Sequence, residues 1–134
     1  MLPANGAVID GCGYMHGHTI PAPELAGKLI LCGHHHPVVN IYDEIDCALR
    51  GTPGYLFAEI DSAVLGYQQT ETPTRVLLVP AFYELAGGKD VRLIPVRKIS
   101  PIAKSIVTST AEVFLKDGTY VGTWENLPQN PNEA

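Results

Sequence analysis

Leu29-Ile30-Leu31-Cys32-Gly33-His34-His35-His36-Pro37 is the stretch on which the reading of this chain turns. Lys28–Cys32 reads as a short, continuously apolar strand, and Gly33 opens a tight loop that carries three histidines. A second stretch, Tyr14-Met15-His16-Gly17-His18, repeats the arrangement of strand, glycine and histidine. All five histidines of the protein fall in these two segments, with His16 and His34 18 positions apart. α/β proteins place their sites where strands end in such loops. Imidazole is the commonest neutral metal ligand, and alternation along an extended loop turns His34 and His36 to one side and His35 to the other.

Working outward, short strand-like runs dominate. Ala7–Ile9 and Gly13–Met15 flank Asp10-Gly11, a hairpin turn signal. Pro21–Gly27 holds a single helical turn at Pro-Glu-Leu-Ala. Pro37–Tyr42, Tyr55–Ile60 and Arg75–Val79 read as further strands, with Asp43–Thr52 as a polar connection and Pro80–Val91 as an irregular, glycine-rich segment. Ser100 caps a short helix that starts at Pro101 and runs to about Ile106. Glu112–Leu115 and Thr119–Trp124 form a hairpin around Lys116-Asp117-Gly118. One domain over 1–127 and a flexible tail over 128–134 are expected. The strands read as covered on both faces, yet long amphipathic helices are nearly absent. The chain therefore resembles part of a larger layered α/β domain.

Composition narrows the classes. The 134 residues suffice for one domain with a core, and 46% hydrophobic with 17% charged residues is a globular composition. A net charge of -5 shows no strongly basic face for nucleic acid. Cys12, Cys32 and Cys47 form no CxxC pair, which fits a reducing, cytoplasmic compartment. No signal peptide and no apolar run of membrane-spanning length is present in the sequence.

At the histidines the sequence resembles the calcineurin-like metallophosphoesterases, nearest the small archaeal phosphoesterases and the ligase-associated DNA damage response endonucleases. The family's lone His corresponds to His16 in His16-Gly17-His18, and its G-H-x-H motif to Gly33-His34-His35-His36, followed by Pro37. Leu77-Leu78-Val79-Pro80-Ala81-Phe82-Tyr83-Glu84-Leu85-Ala86-Gly87-Gly88-Lys89-Asp90-Val91 is similar to the subgroup's L-P-A-F…G-G-x-D-V segment, and Ser100-Pro101 follows at a fitting distance. The likeness covers residues 7–107. The family's D-x-H, G-D-x-x-D and G-N-H-D/E motifs have no counterpart here.

The resemblance implies an α/β fold, strand-rich, forming the C-terminal half of a four-layer α/β/β/α sandwich. It implies two divalent ions, manganese foremost and iron, zinc, nickel or magnesium as substitutes, with His16 and His34 on one ion and His36 on the other. It makes His18 the catalytic side chain near the leaving group. The parent reaction is hydrolysis of a phosphodiester, nucleic acid among the candidate substrates, by a hydroxide held between the two ions. Without the carboxylate motifs this chain alone is expected to be inactive. Three readings stay open: a fragment of an active hydrolase, a half-protein that needs an N-terminal partner or a second copy, and a non-catalytic metal-binding module.

Each of these residues also has a plainer reading. His34–His36 can be a surface histidine run, His16 a satisfied histidine at a strand end, and His18 a loop hydrogen-bonder. Gly87-Gly88-Lys89 lacks the phosphate-loop pattern and reads as a turn. Cys32 reads as a small buried strand residue, Asp43, Glu44 and Asp46 as a solvated acidic loop, and Trp124 as a packing residue.

Overall fold

The Asp10-Gly11 turn folds β1 (Ala7–Ile9) back on β2 (Cys12–Met15), pairing Ile9 with Cys12 and Ala7 with Tyr14. The computed structural model describes residues 6–42, 47–81 and 88–127. After β2 the chain makes a 3₁₀ turn at Pro23–Leu25, where the single helical turn is expected, and returns as β3 (Leu29–Cys32) parallel to β2. A parallel return needs a crossover of a dozen or more residues, and residues 16–28 supply it. β4 (Pro37–Tyr42) and β5 (Cys47–Glu59) run antiparallel, and β6 (Arg75–Leu78) lies between β3 and β5. The two-residue β7 (Lys89–Asp90) pairs in parallel with β4. Helices α1 (Leu93–Val96) and α2 (Pro101–Ser105) follow, and the hairpin of β8 (Glu112–Leu115) and β9 (Tyr120–Thr123) packs on β5. The result is a strand-rich, mixed sheet in the order β1-β2-β3-β6-β5-β4-β7, with few and short helices.

β5 is the spine. Its first half pairs with β4 as far as Pro53, and its second half pairs with β6 and β8. Gly54 sits at the changeover, where a Cβ would lie 2.5 Å from the Phe114 carbonyl oxygen and 2.8 Å from Val39 Cγ2. Only a residue without a side chain lets the strands approach that closely.

The core lies on one face of this sheet. Register aligns Met15, Cys32, Leu78, Leu56 and Val113 in a single row across five strands, and every one is buried. Ile94, Ile102, Ala103 and Ile106 belong to the same apolar cluster. The opposite row, Tyr14, Leu31, Leu77 and Phe57, is only half-buried, and the Arg75 guanidinium lies 6.0 Å from the Phe57 ring centre. Among the described residues this second face is left only partly covered. Helices of four and five residues are too short to close a second face.

Two expectations change. Residues 47–52 of the supposed connection belong to β5, because their backbone pairs with β4. Lys89–Asp90, inside the supposed irregular segment, forms β7. Asp43, Glu44, Asp46, residues 82–87 and the tail over 128–134 lie outside the described residues. No helix among the described residues is long and apolar enough to cross a membrane.

Candidate metal centre

β2 and β3 are parallel neighbours, and each ends in a histidine loop at the same edge of the sheet. Met15 pairs with Cys32, so His16 is brought opposite Gly33. The His16 carbonyl accepts hydrogen bonds from Gly33 N at 3.0 Å and His34 N at 2.5 Å. Gly17 makes this approach feasible. Its φ is +117°, and a Cβ there would run into Cys32 Sγ and lie 3.1 Å from His34 Cβ.

Three imidazoles converge at this edge. His34 Nδ1 lies 3.2 Å from His16 Nε2. The His18 ring centre is 5.1 Å from that of His16 and 6.1 Å from that of His34. All three residues are exposed. The pKa of His34 is lowered by partial desolvation, then by the neighbouring charges of His16, His18, His36 and Lys89. The structure thus brings together His16, His18 and His34. His36 stands differently: its φ is +48°, its carbonyl accepts from Lys89 N at 3.1 Å, and it acts on His34 through charge.

His35 faces the other way, as alternation requires, and is 2% exposed. Its Nε2 lies 2.5 Å from Ser100 Oγ and its Nδ1 3.7 Å from Cys32 Sγ. Burial first, then the charges of His34, His16 and His36, push its pKa down to about 4. Burial pushes the Cys32 thiol up to about 12, against a smaller opposing effect of the His34 backbone N–H. Cys32 is therefore a neutral packing residue, as the plainer reading had it. Ser100 caps α2 as expected, its Oγ accepting from Ala103 N at 3.0 Å. Its second partner, 65 positions away at His35, has no local sequence signal. Trp124 packs against the core and donates from Nε1 to the Val91 carbonyl at 2.9 Å.

Among the described residues no three His, Cys, Asp or Glu side chains converge closely enough to hold a metal ion by themselves. Cavities of about 710 and 690 Å³ lie at the other end of the parallel strands, lined by Tyr67 and Thr70 together with Thr74 or Lys28, and contain no histidine.

Comparison with protein-family models, curated proteins and solved structures finds no match.

Proposed function

We propose that this chain supplies the histidine half of a dinuclear, calcineurin-like metallophosphoesterase site that hydrolyses a phosphodiester. The observation that carries this reading is the 3.2 Å separation of His34 Nδ1 and His16 Nε2 at the ends of adjacent parallel strands. Two imidazoles on one tetrahedral ion with bonds of about 2.0–2.1 Å place their nitrogens about 3.3–3.4 Å apart. The pair is close to the spacing of two ligand positions, whereas two free imidazoles gain only a single weak hydrogen bond from it.

The fit is partial. His16 and His34 would hold one ion and His36 would serve the second. The carboxylates that bridge two ions have no counterpart beside these histidines among the described residues. The half-site reading takes those carboxylates from further polypeptide, in the four-layer sandwich that the sequence resemblance implies. The ions, when bound, would supply Lewis-acid activation of water and neutralise the phosphoryl oxygens. The residues of this chain then act as follows. His16 and His34 would hold the ion at the sheet edge, where their loops are joined by the His34 N–H to His16 carbonyl hydrogen bond. His18, exposed and beside both, holds a proton for the leaving-group oxygen.

Titration of the chain with Co²⁺, followed by visible absorbance, tests this reading. His16→Ala and His34→Ala should abolish the first equivalent bound, and His36→Ala should spare it. Hydrolysis of bis(p-nitrophenyl) phosphate by the chain alone should stay at background with Mn²⁺. No Co²⁺ binding, or loss of the first equivalent in His36→Ala as complete as in His34→Ala, would overturn the assignment. Turnover by the chain alone would overturn the half-site reading.

The alternative, a non-catalytic metal-binding module, draws on the same imidazole pair. The two separate on mixing with a polypeptide that carries D-x-H and G-N-H-D/E motifs: only the half-site gains hydrolysis.

A further inference from the structure

We infer that His35 is the positioning residue of the imidazole pair, transmitting the capped end of α2 to the backbone of His16 through a buried chain of hydrogen bonds with Ser100 and Cys32. The inference deepens the metal reading above and rests on it for its functional consequence, while its geometry stands without a metal.

The chain can be followed donor by donor. Ala103 N–H donates to Ser100 Oγ at 3.0 Å. Ser100 Oγ lies 2.5 Å from His35 Nε2, His35 Nδ1 lies 3.7 Å from Cys32 Sγ, and Cys32 Sγ lies 3.5 Å from the His16 carbonyl oxygen. Each of Ser100 and Cys32 has one proton to give. If the Ser100 hydroxyl donates to Nε2, the His35 proton sits on Nδ1 and points at Cys32 Sγ, and the Cys32 thiol donates to the His16 carbonyl. Every donor then has an acceptor. In the opposite tautomer Nε2–H donates to Ser100 Oγ, and the buried Ser100 hydroxyl proton is left with no acceptor in this chain of contacts. Leaving a buried donor unmade is the costlier arrangement, so the network assigns the Nδ1–H tautomer.

This chain ends where the metal pair begins. The His16 carbonyl receives Gly33 N, His34 N and Cys32 Sγ together. The His35 ring also lies edge-on beneath His34, with centres 5.3 Å apart and planes at 77°. Its Cε1 would be 3.1 Å from a Cβ at Gly17. His35 thus fills the space beneath both metal-facing loops. In the run His34-His35-His36, one imidazole lies exposed beside His16, where it would meet the ion, and its neighbour is buried beneath the loops. Outer groups that orient metal ligands contribute about 10–100-fold to metal affinity, and an effect of that size is expected of His35 here.

The test compares Co²⁺ affinity and the visible Co²⁺ spectrum in the wild-type chain and in His35→Ala, Ser100→Ala and Ser100→Thr, with folding checked by circular dichroism. His35→Ala and Ser100→Ala should weaken binding by about 10–100-fold and alter the spectrum. Ser100→Thr, which restores both hydroxyl and cap, should recover wild-type affinity. Wild-type affinity in a folded His35→Ala or Ser100→Ala variant would overturn the inference. A second readout needs no metal and no folded variant: long-range ¹H–¹⁵N spectra of the wild-type imidazoles should show His35 as the neutral Nδ1–H tautomer. An Nε2–H tautomer would overturn the hydrogen-bond chain even if metal binds. Absence of Co²⁺ binding together with the Nδ1–H tautomer would sink the metal reading and leave the buried chain standing.

Discussion

The stability of the metal-free chain should fall steeply in mild acid, and His35 should account for much of the fall. Its pKa is driven from 6.5 to about 4, chiefly by burial and then by the charges of His34, His16 and His36. Because the folded value lies below the unfolded one, the unfolded chain binds more protons between the two. The stability that His35 contributes is therefore complete above about pH 6.5, is lost as pH falls through that window, and is exhausted near pH 4. A difference of about 2.5 units corresponds to about 3.4 kcal/mol at the limit, and to about 2.5 kcal/mol between pH 7.5 and pH 4.5. Urea unfolding in a chelator at these two pH values, on the wild type and on His35→Gln, measures it. Carboxylates titrating near pH 4.5 contribute to both proteins and cancel in the difference. The wild type should lose about 2.5 kcal/mol more than the variant. Equal losses, within about 0.5 kcal/mol, would show that His35 accepts a proton without leaving its place, and the account of its burial would fail.

Three other outcomes follow from the packing. Gly17→Ala must adopt φ +117° and set a Cβ against Cys32 Sγ; it should cost more than about 1 kcal/mol in urea unfolding and weaken Co²⁺ binding at His16 and His34. Leu56→Ala removes a side chain that is 0% exposed within the buried five-strand row, and should cost about 2–5 kcal/mol. Val8→Ala, at a residue 38% exposed on the edge strand, should stay within about 0.5 kcal/mol of the wild type, and a comparable loss there would mislocate the core.

Elements whose signal is local were legible in the sequence. β4 has the bounds Pro37–Tyr42 that its sequence pattern predicts, both hairpins turn at the Asp-Gly steps that favour them, and Ser100-Pro101 opens α2 as a cap and first helical residue should. What was not legible depends on partners elsewhere in the chain. Residues 47–52 carry an arginine, a threonine and a glycine and look like a connection, yet their backbone completes a ladder with β4. Lys89–Asp90 follows two glycines and becomes a strand only because β4 offers an edge. In the site, alternation separates His35 from its neighbours, but three identical side chains in a row give no hint of which one a distant serine will engage. The proximity of Lys89 to His34 likewise comes from the pairing of β7 beside Pro37, not from any motif.

The 18-residue interval between His16 and His34 is itself a consequence of the sheet. Parallel pairing sets Met15 against Cys32, so the residue after β2 faces Gly33 and the next position along belongs to His34. Both Gly33 N and His34 N then reach the same His16 carbonyl, and the two rings meet at the edge of the sheet. The interval depends on two things: a crossover over residues 16–28 long enough to return the chain in parallel, and a Gly17 that allows the loops to close. An insertion at the solvent side of the crossover, beyond the 3₁₀ turn, changes the interval without changing the register. One between Cys32 and His34 leaves the strands paired but carries the ring of His34 out of reach of His16. The spacing that first marks the two motifs as a pair in the sequence is therefore a register statement. It concerns the few residues at the strand ends far more than the length of chain between them.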